Sequence, residues 1–397
     1  MLAAQAVAWT GTRVSAIALP WFVLASTGSA VQTGVVAFME MAPYVVFQVA
    51  LGPVIDRAGP RRISIAGDLI SMGAVASVPA LYAADALPIG LLWALVAIAG
   101  AARGPADVAK TVFIPAVTQA AGVPLERGTG LSGSIERLAS TVGPAAAGVV
   151  VAAVGAPYAL LITAAVFGLG AAFIAASAPR DLGPPAGGGE AGYLAQLRAG
   201  AAFLRREPLQ RSIAGMLAVT NLLDAALSSV LLPVWARETG YGPAGIGLIV
   251  GAMSACAAAS SLAAAAVGHR LRRRPVYLVG FLIGGAPRFF VLAFGLKLWA
   301  ITAVDALGGL GTGFLNPILG AILFERTPPA MFGRVRTMVA AVGAAGIPFG
   351  GLLGGTFVAA AGLAPVLLVF GGLYFATTML PGLQKEWRGM ERRRGGR

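Results

Sequence analysis

The sequence predicts an all-α membrane protein with twelve transmembrane helices in two pseudo-symmetric halves of six helices each. Three observations support this fold class: an apolar composition, an uneven placement of arginines, and a repeated pattern of proline and glycine. Of the 397 residues, 57% are hydrophobic and only 11% are charged, and the mean hydropathy is +0.82. Soluble globular domains carry about 25% charged residues, so the composition excludes that class.

The apolar segments of the chain predict the twelve spans. Each is long enough to cross a hydrocarbon core of about 30 Å at about 1.5 Å per residue. A polar stretch at 179–207 separates the sixth span from the seventh. It contains Pro184, Pro185 and three successive glycines, and then the amphipathic segment Tyr193–Arg206, which predicts a surface helix. We therefore predict an N-terminal half over 1–178, a linker over 179–207, a C-terminal half over 208–384 and a basic tail over 385–397. The predicted spans are 2–26, 32–55, 63–83, 87–116, 127–153, 157–178, 209–235, 243–267, 276–296, 298–324, 334–360 and 363–383.

The basic residues lie almost entirely in alternate loops, the linker and the tail. Cytoplasmic loops carry an excess of Lys and Arg, and the opposite loops hold only Arg237 and Lys297. We therefore expect a multi-pass protein of the cell membrane with both termini in the cytoplasm. The sequence leaves open whether a short basic lead precedes Met1. The net charge of +13 indicates contact with anionic lipid on the cytoplasmic face, and no nucleic-acid binding is expected. The basic residues assigned to that face are Arg57, Arg61, Arg62, Arg127, Arg270, Arg272, Arg273, Arg274, Arg326, Arg334 and Arg336 in loops, Arg180, Arg198, Arg205, Arg206 and Arg211 in the linker, and Lys385, Arg388, Arg392, Arg393, Arg394 and Arg397 in the tail.

Proline and glycine recur at a nearly constant offset, which indicates an internal repeat. Both residues mark kinks and close packing in membrane helices, so their recurrence predicts that the two halves share helix shapes. Chance is the alternative, because the chain holds 55 Gly and 25 Pro, but chance does not account for the constant offset. The matched positions are Leu19-Pro20 with Leu232-Pro233, Thr27-Gly28 with Thr239-Gly240, Gly34 with Gly247, Pro105 with Pro317, Pro115 with Pro328, and Pro144 with Pro348.

The loop between spans 2 and 3 carries the most informative motif. Its glycines permit a tight turn, and Asp56 is placed to cap or pair at a helix end. A generic basic hairpin would explain the arginines but not the spacing of Gly52, Asp56 and Gly59. The pattern Gly-x-x-x-Asp-Arg-x-Gly-x-Arg-Arg resembles the hallmark loop of the major facilitator superfamily, which follows the second of twelve transmembrane helices. The motif residues are Gly52, Asp56, Arg57, Gly59, Arg61 and Arg62.

Within that superfamily, the chain resembles the drug and small-molecule exporters related to macrolide efflux and enterobactin exporter proteins. The stretches 13–21 and 104–106 support the resemblance. Gly143, Pro144 and Gly148 resemble the Gly-Pro motif that proton-coupled antiporters carry in the fifth span, although Ala139 replaces its upstream glycine.

Ionisable residues inside the spans are the candidates for function, because charges in a bilayer are costly. Five basic and six acidic groups nearly balance, so mutual pairing is the alternative to a functional role. The basic groups are Arg13, Arg103, Lys110, Arg137 and Arg288, and the acidic groups are Glu40, Asp68, Asp107, Glu136, Asp224 and Asp305.

Two sets of these groups are predicted to act together. Arg103, Asp107 and Lys110 share one face of span 4. We expect them to form a cytoplasmic gate with the loop motif and Asp68, while direct substrate contact is the alternative. Arg13 and Glu40 lie at similar depth, where pairing and a cavity role both remain open. The residues assigned to a substrate cavity or to proton coupling are Arg13, Glu40, Glu136, Asn221, Asp224, Arg288 and Asp305.

The resemblance implies secondary active transport, in which two halves rock around a cavity near the bilayer midplane. The leading hypothesis is proton-coupled efflux of a small amphipathic or cationic compound. Siderophore or (lyso)lipid transport is the alternative, and a non-transporting sensor or scaffold is less favoured. The expected partners are the substrate, protons and anionic lipids, and the chain is expected to be a monomer.

The sequence predicts neither an enzyme nor a cofactor. It contains no nucleotide-binding loop, dinucleotide fingerprint or Ser-His-Asp set. Its single cysteine, Cys256, lies in an apolar helix, and its single histidine, His269, lies in a loop. We therefore expect no metal site and no internal disulfide.

Overall fold

The computed structural model describes residues 2–120, 125–177, 193–328, 331–383, 387, 390 and 391. These residues are almost entirely helical, and none of them lies in a β-strand. Besides α-helices, the described residues include a π-helical turn, Leu227–Leu231, and a short 3₁₀ turn, Gly268–Arg270. The helices are α1 (Leu2–Thr27), α2 (Ala30–Ala50), α3 (Gly52–Ala58), α4 (Pro60–Ala83), α5 (Ile89–Ala120), α6 (Leu125–Val154), α7 (Ala156–Ser177), α8 (Tyr193–Arg206), α9 (Pro208–Ala226), α10 (Leu232–Glu238), α11 (Gly242–Val267), α12 (Arg273–Gly284), α13 (Pro287–Ala293), α14 (Leu298–Arg326), α15 (Phe332–Ala344), α16 (Ile347–Ala361) and α17 (Leu363–Leu383).

Three predicted spans are interrupted by turn residues, whereas span 7 continues from α9 through the π-helical turn into α10. Span 2 ends at Ala50 and is followed by α3, span 9 is divided into α12 and α13, and span 11 is divided into α15 and α16. In each case a proline, namely Pro53, Pro287 or Pro348, occupies the first turn of the following helix. Proline lacks the N–H group and clashes with the preceding turn, but it fits the start of a new helix. Each break therefore coincides with a proline that starts a new helix, whereas Pro20, Pro43 and Pro317 lie inside continuous helices.

Ten helical segments in the described part of the chain are long and apolar enough to cross a membrane. The predicted first and fifth spans correspond to α1 and α6. Their described apolar portions, Val14–Thr27 and Val142–Val154, are shorter than a full span. The number twelve therefore stays a prediction, while the multi-pass helical membrane architecture is confirmed.

Two glycine seams join helices from before the linker to helices from after it. In the first seam α2 contacts α16, where a Cβ atom at Gly34 would overlap the carbonyl oxygen of Gly351. In the second seam α6 contacts α11, where a Cβ atom at Gly148 would lie 2.6 Å from the Cα atom of Gly247. Gly34 and Gly247 are a matched pair of the sequence repeat. The repeat thus places equivalent glycines at two of the contacts between the halves of the chain.

Both seams lie toward the end of the bundle opposite the arginine-rich loops. At that end the Arg237 guanidinium donates a hydrogen bond of 3.1 Å to the Leu24 carbonyl. The same guanidinium covers Gly28, whose φ of +70° is a left-handed conformation that favours glycine. Loops from before and after the linker are therefore in direct contact at this end of the bundle.

The linker helix α8 lies at the arginine-rich end. Its bounds, Tyr193–Arg206, are those predicted from the amphipathic pattern. Leu204 is buried with Ala214, Val335 and Val339, so the apolar face of α8 packs against α9 and α15.

Candidate functional site

The loop motif is more helical than the sequence predicts. Gly52 begins α3 instead of making the tight turn, which falls at Gly59 with a φ of +86°. The Arg61 side chain donates a hydrogen bond of 2.7 Å to the Ala175 carbonyl at the end of α7. Arg57 and Arg62 are exposed. The Asp56 side chain lies outside the described residues, so its gating role stays a prediction.

A buried ion pair connects α5 to α2. The Arg103 Nη1 atom donates a hydrogen bond of 3.0 Å to Glu40 Oε1, and both side chains are largely buried. Arg103 also lies over the Tyr44 ring, 5.1 Å from its centroid. Gly100 and Gly104 allow this approach, because a Cβ atom at either position would overlap the backbone of α2. The pair therefore depends on a helix contact that two glycines make possible.

The charge series continues along α5. Asp107 lies 4.0 Å from Arg103 and 3.4 Å from Lys110, as the spacing on one helix face predicts. Lys110 then makes a buried ion pair of 2.6 Å with Asp68 of α4. Asp68 Oδ2 has no hydrogen-bond partner among the described residues. Alternating charges thus link three helices of the N-terminal part of the chain.

A cavity of about 370 Å³ lies among the helices that follow the linker. Asp224 of α9 and Arg288 of α13 form an ion pair at the cavity wall. The Arg288 guanidinium also lies 5.5 Å from the ring centroids of Phe289 and Tyr374, a distance at which cation–π attraction operates. The cavity lining comprises Asn221, Asp224, Ala225, Leu227, Ser228, Leu232, Ile249, Val250, Met253, Arg288, Leu292, Asp305 and Ile347.

Asp305 of α14 is the most enclosed carboxylate of this cavity, with 5% of the residue exposed. Its Oδ2 atom has no hydrogen-bond partner among the described residues, and neither does Arg288 Nε. Asn221 donates a hydrogen bond of 2.9 Å to the Gly343 carbonyl, and Ser228 donates one of 3.3 Å to Ala225. The cavity therefore holds one guanidinium between two carboxylates, inside a mainly apolar wall.

The structure divides the predicted cavity residues into two sites. Glu40 joins the Arg103 series, whereas Asn221, Asp224, Arg288 and Asp305 line the cavity of about 370 Å³. The partner of Glu40 is thus a residue that the sequence assigned to the gate. The side chains of Arg13 and Glu136 lie outside the described residues.

Sequence reasoning missed three residues that belong to these two sites, namely Tyr44, Met253 and Tyr374. Tyr44 lies one turn after Glu40 on α2 and donates a hydrogen bond of 3.3 Å to Asp107. That spacing on one helix face could have identified it. Met253 and the aromatic Tyr374 lie in apolar helices, so no sequence signal distinguished them. Gly143, Pro144 and Gly148 belong to α6, and Gly148 lies in the seam with α11.

Comparisons with known proteins agree with this architecture. Residues 1–220 and 214–384 match the model of the Major Facilitator Superfamily. The multidrug efflux pump Tap of Mycobacterium tuberculosis is 32% identical over 369 residues, which cover 91% of this chain and 87% of that one. Tap of Mycolicibacterium fortuitum is 28% identical, and the alignment covers 91% of this chain and 89% of that one.

Solved structures show the same fold at low identity. The nucleoside transporter NupG has a TM-score of 0.74 at 15% identity, covering 96% of this chain and 98% of that one. A bacterial homologue of the human lysosomal transporter Spinster, inward-facing and unoccupied, has a TM-score of 0.72 at 13% identity, covering 99% of this chain and 98% of that one. From its repeated architecture, its internal ion pairs and these matches, we conclude that the chain is a multi-pass membrane transporter and belongs to the major facilitator superfamily.

Proposed function

We propose that the transporter exports small amphipathic cations in exchange for protons, by alternating access. The observation that carries this proposal is the cavity that contains Asp224, Arg288 and Asp305. Its volume of about 370 Å³ is within the range of small-molecule sites. Its apolar wall suits the hydrophobic part of such a compound. The name of the Tap relatives, multidrug efflux pump, supports export of this class.

The charges of the cavity suggest how proton and substrate alternate. With both carboxylates ionised, Asp224, Arg288 and Asp305 sum to −1, which favours a cation. Protonation of one carboxylate makes the sum zero and removes that attraction. Asp305 is the better proton acceptor because its buried Oδ2 atom has no hydrogen-bond partner among the described residues to compensate for burial of the charge.

The conformational change would be a movement of the two halves of the chain relative to each other. We propose that residues 1–178 and 208–384 rock as two bodies joined by the linker 179–207, with the basic tail and both termini in the cytoplasm. With the outer seams closed, the cavity would then face the cytoplasm. The buried series from Glu40 to Asp68 would stabilise the N-terminal body, and the loop motif would form part of the gate. The transporter would act as a monomer.

Transport in proteoliposomes tests the proposal. Ethidium, a fluorescent organic cation, should accumulate in inside-acidic vesicles that contain the wild-type chain, because proton efflux would drive its entry. Asp305→Asn should abolish accumulation driven by the pH gradient while ethidium still exchanges at equal pH. Asp85→Asn is the matched control, because Asp85 is an exposed aspartate of the loop between α4 and α5. Accumulation by Asp305→Asn at the wild-type rate would refute proton coupling through this residue.

A further inference from the structure

An apolar groove lies on the outer surface of the bundle between α12 and α14. It has a volume of about 340 Å³ and extends from the arginine-rich loop before α12 toward the middle of α14. Val279 and Leu310 on its walls are exposed, at 55% and 42%. The lining residues are Leu271, Pro275, Val276, Val279, Gly280, Ile283, Leu310, Gly311 and Phe314.

Two glycines form the floor of this groove. A Cβ atom at Gly280 would lie 3.0 Å from the Gly311 carbonyl oxygen, and one at Gly311 would lie 2.7 Å from the Gly280 carbonyl oxygen. The backbones of α12 and α14 are therefore in contact at the floor of the groove, and the neighbouring side chains form its walls. This arrangement creates a recess on a surface that faces lipid.

The arginines at the mouth of the groove have different partners. Arg273 is buried and makes two hydrogen bonds, of 2.5 and 2.7 Å, with Glu325. Arg274 donates a hydrogen bond of 3.0 Å to the Gly382 carbonyl. Glu391 accepts hydrogen bonds from the backbone N–H groups of both arginines, at 3.4 Å each, so the start of α12 already has an anionic partner.

Arg272 is the arginine that remains available at this mouth. Its side chain is exposed and makes no hydrogen bond or ion pair with the part of the chain that the structure describes, and only its backbone carbonyl accepts one, from Val276. It follows Leu271, which lines the groove, and precedes Pro275 by three residues. A positive charge thus lies beside the end of an apolar recess, at the arginine-rich end of the bundle.

We propose that this groove binds one anionic phospholipid of the leaflet at the arginine-rich end. One acyl chain fills the recess, and the phosphate group lies against Arg272. The apolar lining of the recess along α12 and α14 suits an acyl chain. Guanidinium groups pair well with phosphate, and exposed arginines near a membrane surface attract anionic lipid. A zwitterionic lipid offers the same acyl chain without the net charge, so headgroup selectivity distinguishes the site from general solvation by lipid.

Lipid retention measured by native mass spectrometry tests the proposal. The purified chain is equilibrated with an equimolar mixture of phosphatidylglycerol and phosphatidylcholine. Bound lipid is then removed gradually with increasing detergent. The wild-type chain should retain one phosphatidylglycerol molecule preferentially. Arg272→Gln should lower that preference by about fivefold. Arg336→Gln, which changes an exposed arginine of α15 away from the groove, should leave it unchanged.

A second pair of variants tests the acyl-chain part of the site. Val279→Trp should fill the groove and reduce retention of both lipids, whereas Leu262→Trp, at an exposed position of α11 outside the groove, should not. Equal retention of the two lipids by the wild-type chain would overturn the proposal, as would unchanged preference in Arg272→Gln. A second copy of the chain bound in place of lipid, detected as a dimer that Val279→Trp dissociates, would also overturn it.

Discussion

Substitution of Gly148 by alanine would test whether the contact between α6 and α11 stabilises one conformation of the transporter. In that conformation the cavity is closed on the side opposite the arginine-rich loops. The new Cβ atom would lie 2.6 Å from the Cα atom of Gly247 and 2.6 Å from the Pro243 carbonyl oxygen, whereas ordinary contacts begin at 3.4 Å. The helices must therefore separate by about 0.8 Å, the difference between these distances, in a tightly packed interface. Overpacking of this kind costs about 1–3 kcal/mol, and only the conformation with a closed seam bears this cost. The ratio of closed to open molecules should fall about 5- to 140-fold.

Cysteine accessibility measures this change. Ser228→Cys places a thiol in the cavity, and Cys256→Ala removes the natural thiol. A membrane-impermeant maleimide added outside intact cells should label Ser228→Cys at least about fivefold faster when Gly148→Ala is present. Gly73→Ala is the control, because a Cβ atom at Gly73 would have no neighbour within 4 Å. Equal labelling rates in Gly148→Ala and Gly73→Ala would refute the assignment of this seam to the closed state.

Three further predictions concern the hydrogen bond between Arg237 and Leu24, the buried charges, and the orientation of the chain in the membrane. Arg237→Ala removes a charged hydrogen bond to Leu24, worth about 1.5–3 kcal/mol. It should therefore raise the rate at which maleimide labels the thiol of Ser228→Cys. An unchanged labelling rate would show that this hydrogen bond does not stabilise the closed conformation. Lys110→Met leaves Asp68 as an unpaired buried charge and should cost about 3–5 kcal/mol of stability, seen as a lower Tm in detergent. The double variant with Asp68→Asn should recover most of this loss, and a single variant as stable as the double would contradict the argument. A tag after Arg397 should be protected from external antibody until cells are permeabilised, and labelling of intact cells would reverse the proposed orientation.

The repeat and the helices were predictable because their causes are local. Apolar length defines a span, and the helix predicted at Tyr193–Arg206 has those bounds in the structure. The breaks before Pro287 and Pro348 coincide with prolines, but Pro20, Pro43 and Pro317 lie inside unbroken helices, so proline alone did not predict the breaks. The matching of Gly34 with Gly247 indicated equivalent positions but not their contacts.

The pairing of charges was decided by tertiary structure. Glu40 had Arg13 as a candidate partner of similar depth, yet Arg103, 63 positions away, makes the ion pair. Asp224 likewise pairs with Arg288, 64 positions away. Hydropathy sets the depth of a residue in the membrane but not the rotation of its helix or the identity of the neighbouring helix. Those depend on how glycines and bulky side chains pack across the whole bundle, so the sequence by itself determined the set of charged groups and the tertiary structure decided which of them meet.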